Sequence, residues 1–191
     1  MLYFNKFLLF SLALFILNAC TKNEPIKQYS IEACKKEMLD AKDYDPKNAI
    51  DHIVVDKKKR TMYLYRKGKM VNMLPVSLGK NPVGTKIQQG DKRTPEGQYW
   101  VSRKLCSKRY YRSICVSYPR PQDIALAKKR GVNPGGSITI HAQPPWNASG
   151  KKDDYMLARN WTDGCVAVTN TVMDDLWYAV REGIPITIKG G

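Results

Sequence analysis

The chain has 191 residues, with 32 Lys and Arg against 17 Asp and Glu, a formal charge of +15, two histidines and five cysteines. That length suits one domain with one core plus leader segments. Two histidines with no paired spacing and no Cys-x-x-Cys speak against a metal centre, and no cofactor is expected. The basic residues are spread through loops, without a helix-turn-helix, finger or aromatic RNA-binding pattern. Nucleic acid is therefore not expected as a partner, and a monomer is.

The first twenty residues bear on the compartment. An apolar run over 7–17, broken only by Ser11, is too short to span a bilayer comfortably and has the length of a signal-peptide core. It ends in Leu17-Asn18-Ala19-Cys20, which resembles the lipobox of bacterial lipoproteins. Residues 1–19 are thus expected as a signal peptide and Cys20 as a lipidated N-terminus, with export to the cell envelope or periplasm. Thr21, in place of Asp, resembles an outer-membrane sorting pattern. Residues 20–49 read as a tether with a short helix opened by Ser30 as N-cap and ended by Tyr44-Asp45-Pro46.

A single domain is expected over 50–191. β-rich runs at 52–56, 61–65 and 70–78 form a meander with short turns, and strands follow at 97–105, 113–118 and 137–142. A helix with Pro121 at its opening and Gly131 past its end is predicted over 121–130. An amphipathic helix over 170–182 carries Val172, Met173, Leu176, Trp177 and Val180, and a last strand covers 184–188. This is a mainly β, α+β arrangement: a mixed or antiparallel sheet that closes on itself or forms a sandwich, with short helices.

Chemistry concentrates between Ile138 and Thr169. His141 ends a strand-like run, and Gly164 stands directly before Cys165. A thiol titrates near ~8.5 and needs a base or cation to become a nucleophile, and histidine is the usual partner. Gly164 allows the backbone to approach a substrate carbonyl closely. The same residues also fit a small buried cysteine and an ordinary core or surface histidine. His52, at the head of the first strand, reads as a surface residue. Of the remaining cysteines, Cys34, Cys106 and Cys115, a bridge between Cys106 and Cys115 is geometrically possible across the hairpin that separates them.

Several separate segments then agree in order. Leu78-Gly79, Thr94-Pro95-Glu96-Gly97, Val132-Asn133-Pro134-Gly135-Gly136, Ile140-His141 and Trp161-Thr162-Asp163-Gly164-Cys165-Val166-Ala167-Val168-Thr169-Asn170 resemble the L,D-transpeptidase catalytic domain family of bacterial wall enzymes, over roughly 51–189. The resemblance implies a mixed β-sheet fold and cysteine-dependent acyl transfer on peptidoglycan stem peptides. It implies Cys165 as nucleophile with a depressed pKa, His141 as base, the Ala142 carbonyl as orienter of the imidazole, and the Gly164 and Cys165 amides as oxyanion donors. It also marks departures: Asp163 where many members carry histidine, and Ala167 where many carry an arginine able to pair with a substrate carboxylate. Extra residues over 144–155 should form a longer, basic lid, and Lys151, Lys152, Arg159 and Trp161 are candidate substrate contacts. A hydrolase on the same site, or a wall-binding lipoprotein without catalysis, are the other readings.

Overall fold

A computed structural model describes residues 30–190, so the signal peptide and Cys20 lie outside the described residues. After helix α1 (Ile31–Leu39) come strands β1 (His52–Asp56), β2 (Thr61–Arg66), β3 (Lys69–Pro75), β4 (Gly97–Ser107) and β5 (Tyr111–Val116). Helix α2 (Pro121–Lys129), β6 (Thr139–His141), α3 (Asp153–Leu157), β7 (Val166–Ala167), α4 (Asn170–Ala179) and β8 (Pro185–Lys189) complete the chain. Ser30 Oγ accepts from the Ala33 amide at 3.2 Å, and Thr169 Oγ1 accepts from the Val172 amide at 3.2 Å. Each thus satisfies one of the orphan donors at a helix start, worth about 1 kcal/mol.

The strands form one mixed sheet of eight in the order β3-β2-β1-β8-β4-β5-β6-β7. β1 with β8 and β6 with β7 run parallel, and the other pairs antiparallel. β4 binds the two halves together. Its first residues pair with β8, its later ones with β5, and the register shifts between Val101 and Arg103. Such a bulge bends a strand and increases its twist, which lets the sheet curl. The curl is closed by the segment after β3: Ser77 and Ala167 exchange backbone bonds of 2.9 and 2.8 Å, and Thr162 N–H donates to Leu78 O at 3.1 Å.

The core lies inside this curl. β1 is central and contributes Ile53 and Val55, with Val54 buried on its other face, whereas β2 and β8 alternate and contribute Met62, Leu64, Ile186 and Ile188. α4 covers one side with Met173, Leu176 and Trp177, all at 0 % exposure. The predicted helix over 170–182 ends earlier, because Val180 turns to extended backbone to lead into β8. Among the described residues no helix is long and apolar enough to cross a membrane.

The helix expected within the tether is present but does not stand apart. Cys34 is bonded to Cys106, across 72 residues. This corrects the Cys106–Cys115 pairing: Cys106 lies opposite Arg112 in the β4–β5 ladder, while Cys115 lies opposite Arg103 and is a buried free thiol. A loop of that length removes about 4 kcal/mol of freedom from the unfolded chain on the chain-entropy view. Charge reinforces the clamp. The buried Arg112 guanidinium pairs with Glu37 of α1 and, at 2.7 Å, with Asp174 of α4, and Lys104 Nζ pairs with Asp43 at 3.1 Å.

Candidate active site

β6 lies between β5 and β7, with Ser113 opposite His141 and Ile140 opposite Val166. Ile140 points into the core at 0 % exposure, so Thr139 and His141, on either side of it, share the opposite face. Cys165 immediately precedes β7 and falls beside Thr139. The Thr139 hydroxyl donates to Sγ at 3.6 Å, and the thiol donates to Ser137 O at 3.6 Å. Thiol and imidazole therefore lie on one face of the sheet, with Thr139 fixing the sulfur one pleat from the ring.

His141 is wholly buried. Nδ1 lies 2.7 Å from the Ala142 carbonyl, which can only accept, so the proton sits on Nδ1 and Nε2 carries the lone pair. Nε2 is buried with no hydrogen-bond partner among the described residues. Tyr110 stacks on the ring at 3.9 Å and 19°, and Trp161 meets it edge-on at 5.6 Å. Burial lowers the His141 pKa to about 4; the Ala142 bond opposes this and the Arg109 charge adds to it. Burial raises the Cys165 pKa, against the bonds from Thr139 and the charge of Arg109. The resting pair is thus a thiol and a neutral imidazole, and the depressed cysteine pKa implied by the resemblance is not what this burial produces.

Gly164 is required by geometry. Its φ is +129°, and a Cβ there would lie 2.7 Å from the Arg93 carbonyl oxygen. Its N–H donates to Thr162 Oγ1 at 3.2 Å, and that hydroxyl donates to Cys165 O at 2.7 Å. The expected pair of oxyanion donors is corrected here, because the Gly164 amide is already engaged in holding the turn. The Cys165 amide has no such partner among the described residues.

Next to Tyr110 and Trp161 opens a cleft of about 430 Å³, whose wall includes Lys80, Arg109, Trp146 and Asp163. The insert after His141 forms one side, but its cleft-facing residues are Pro144, Pro145 and Trp146, with Met156 just past it, so it is an apolar wall and not a basic lid. The segment directly after it is held in place: Arg60 donates to Leu157 O and, at 3.0 Å, to Ala158 O, and Ser77 Oγ donates to Met156 O at 2.8 Å. Of the expected substrate contacts, Trp161 lines the cleft. Lys151 and Lys152 are exposed and absent from its wall, and Arg159 instead lies over Tyr155 at 3.5 Å. The cations that do face the cleft are Lys80 and Arg109, which the sequence reading did not single out. His52 is half-buried on β1, four strands from β6, and contacts Thr187 Oγ1 at 2.8 Å. No cluster of His, Cys, Asp and Glu among the described residues suits a metal ion.

Against known families, residues 50–188 match the L,D-transpeptidase catalytic domain (YkuD). The chain belongs to that family. Several solved structures are similar to it in fold. The helical cell shape determining protein Pgp2 from Campylobacter jejuni is 22% identical with a TM-score of 0.52, over 74% of this chain and 48% of that one. Bd1075 from Bdellovibrio bacteriovorus is 27% identical with a TM-score of 0.50, over 74% and 48%. An L,D-transpeptidase from Mycobacterium smegmatis is 15% identical with a TM-score of 0.48, over 73% and 58%. The chain spans about half the length of the first two. Among curated proteins nothing matches. That family is one of cysteine acyltransferases of the bacterial wall, and some of its members are hydrolases.

Proposed function

We propose that the protein carries out acyl exchange on peptidoglycan stem peptides through a thioester on Cys165, with His141 as base. The observation that supports this most is the His141 ring: Nδ1 is held by Ala142 O, and Nε2 is left as a buried lone pair on the face that carries the thiol. In the first half, the thiol leaves Ser137 O and gives its proton to Nε2 while sulfur attacks the carbonyl carbon. The tetrahedral oxyanion is met by the Cys165 amide, and collapse expels the amine, which takes the proton from Nε2. In the second half, water or an acceptor amine attacks the thioester carbon and gives a proton to Nε2; collapse breaks the C–S bond, and the leaving thiolate takes that proton back to regenerate the thiol and the neutral imidazole.

Hydrolysis is the second reading, and Ala167 favours it. That residue is wholly buried, bridged to Ser77, so position 167 offers no cation to hold an acceptor carboxylate. We expect a higher share of hydrolysed product than in members with arginine there, whether the amide lies within a wall peptide or joins a protein to the wall. Mass spectrometry of tetrapeptide muropeptides incubated with the protein and excess acceptor measures this directly. Near-quantitative cross-linking would sink the hydrolytic reading, and no change in the muropeptides would sink both. Since Pgp2 determines helical cell shape, an effect on wall shape is part of the proposal.

The same proposal places the enzyme in the envelope, lipid-anchored through Cys20. The motivation is the short apolar run ending in Leu17-Asn18-Ala19-Cys20. Palmitate labelling in cells should be present in the full chain and vanish in Cys20→Ser; an unlabelled wild-type protein would exclude the anchor.

A further inference from the structure

We propose that Arg109, at the tip of the β4–β5 hairpin, recognises a free carboxylate on the peptide next to the scissile bond. This rests on the reading of Cys165 and His141 as nucleophile and base, and it concerns the acyl donor's carboxylate, whereas Ala167 bears on the acceptor's.

The tip is ordered before any ligand arrives. Ser107 Oγ accepts from the Arg109 amide at 3.1 Å and from the Tyr110 amide at 3.2 Å, which fixes the turn. One residue earlier, Cys106 is bonded to Cys34, so the strand leading into the tip is fastened to α1. The Arg109 guanidinium lies over the Tyr110 ring at 5.2 Å, and that ring stacks on the His141 imidazole at 3.9 Å. One aromatic ring therefore separates the cation from the base.

Charge pairing separates Arg109 from the other cation of the cleft. Lys80 is engaged by Asp163 at 3.1 Å. Arg109 has no carboxylate partner among the described residues, although it borders the same cleft. A guanidinium offers parallel N–H donors that match a carboxylate, and a turn held in place loses little freedom on binding one. In keeping with that placement, the positive charge of Arg109 acts on both side chains, lowering the pKa of His141 and opposing the rise in that of Cys165. The substrate class that fits is a peptide carrying an α-carboxylate within one residue of the bond attacked. Exposed cations elsewhere, such as Lys151 and Lys152, lack both the cleft and the ordered turn.

The test compares two tetrapeptides that differ only in a terminal carboxylate or carboxamide, using the full exported chain. Wild type should favour the free acid. Arg109→Ala should lower kcat/KM on the acid about ten- to a hundredfold, mainly through KM, and bring the two peptides level. Arg109→Lys should keep part of the preference, and Lys108→Ala, a neighbouring exposed cation outside the cleft wall, should keep all of it. A preference that survives in Arg109→Ala, or a wild type with none, overturns the assignment. Turnover that survives in Cys165→Ala would instead overturn the underlying reading, so the two failures are distinguishable.

Discussion

Cys165→Ala is expected to lose turnover by roughly 10⁴-fold or more and to form no covalent adduct with carbapenem-type β-lactams. The substitution removes one sulfur whose contacts are the Thr139 hydroxyl and the Ser137 carbonyl. Neither is a core packing contact, so stability should change by only about 1 kcal/mol, and loss of activity will not be loss of fold. The control is Cys115, the other free thiol. It is buried on β5 and makes no part of the cleft, so Cys115→Ala should cost about 1 kcal/mol of stability and keep the adduct. Intact-protein mass spectrometry after incubation with the β-lactam separates the cases. A full adduct on the Cys165→Ala protein would mean that another residue is the nucleophile.

Much of the sheet is legible in the sequence because its core strands obey simple periods. The alternation of β2 and β8, the three consecutive apolar residues of β1 and the helical spacing of Met173, Leu176 and Trp177 follow directly from which side each residue buries. The Ser30 cap is legible for the same local reason. What is not legible depends on strand order. β8, last in the chain, inserts between β1 and β4, and β5 stands beside β6. No local pattern announces that the 107–110 turn will reach His141, so Arg109 and Tyr110 could be found only by knowing that neighbourhood. Cys34 is a similar case: its partner is set by how α1 docks on β4, not by spacing, and the nearer pair Cys106 and Cys115 fails because they are not opposite one another. The lysines of the insert are prominent as charge, yet charge prefers water, and the insert residues that face the cleft are two prolines and a tryptophan.

His141→Ala is expected to lower turnover about 10²- to 10⁴-fold, while His52→Ala leaves it near wild type. The pH dependence carries the more specific result. With its pKa near 4, His141 stays neutral, and so available as a base, down to well below pH 6. The acidic limb of kcat/KM should therefore fall near pH 4 and not near 6.5. Stability follows with a definite sign. The unfolded histidine binds a proton near pH 6.5 and the folded one only near 4, so the unfolded state holds more protons between them. Stability is full above about pH 6.5, declines as pH falls, and reaches a loss of at most about 3 kcal/mol once both states are protonated. His141→Ala should flatten that decline in denaturant titrations. Tyr110→Ala uncovers the ring that Tyr110 stacks upon, so it should move the acidic limb upward toward the ordinary histidine value. Alkylation of Cys165 should show no thiolate plateau at neutral pH, because burial raises its pKa and the neighbouring imidazole is neutral. A plateau near pH 6 that disappears in His141→Ala would show a preformed thiolate–imidazolium pair and refute the neutral-pair mechanism.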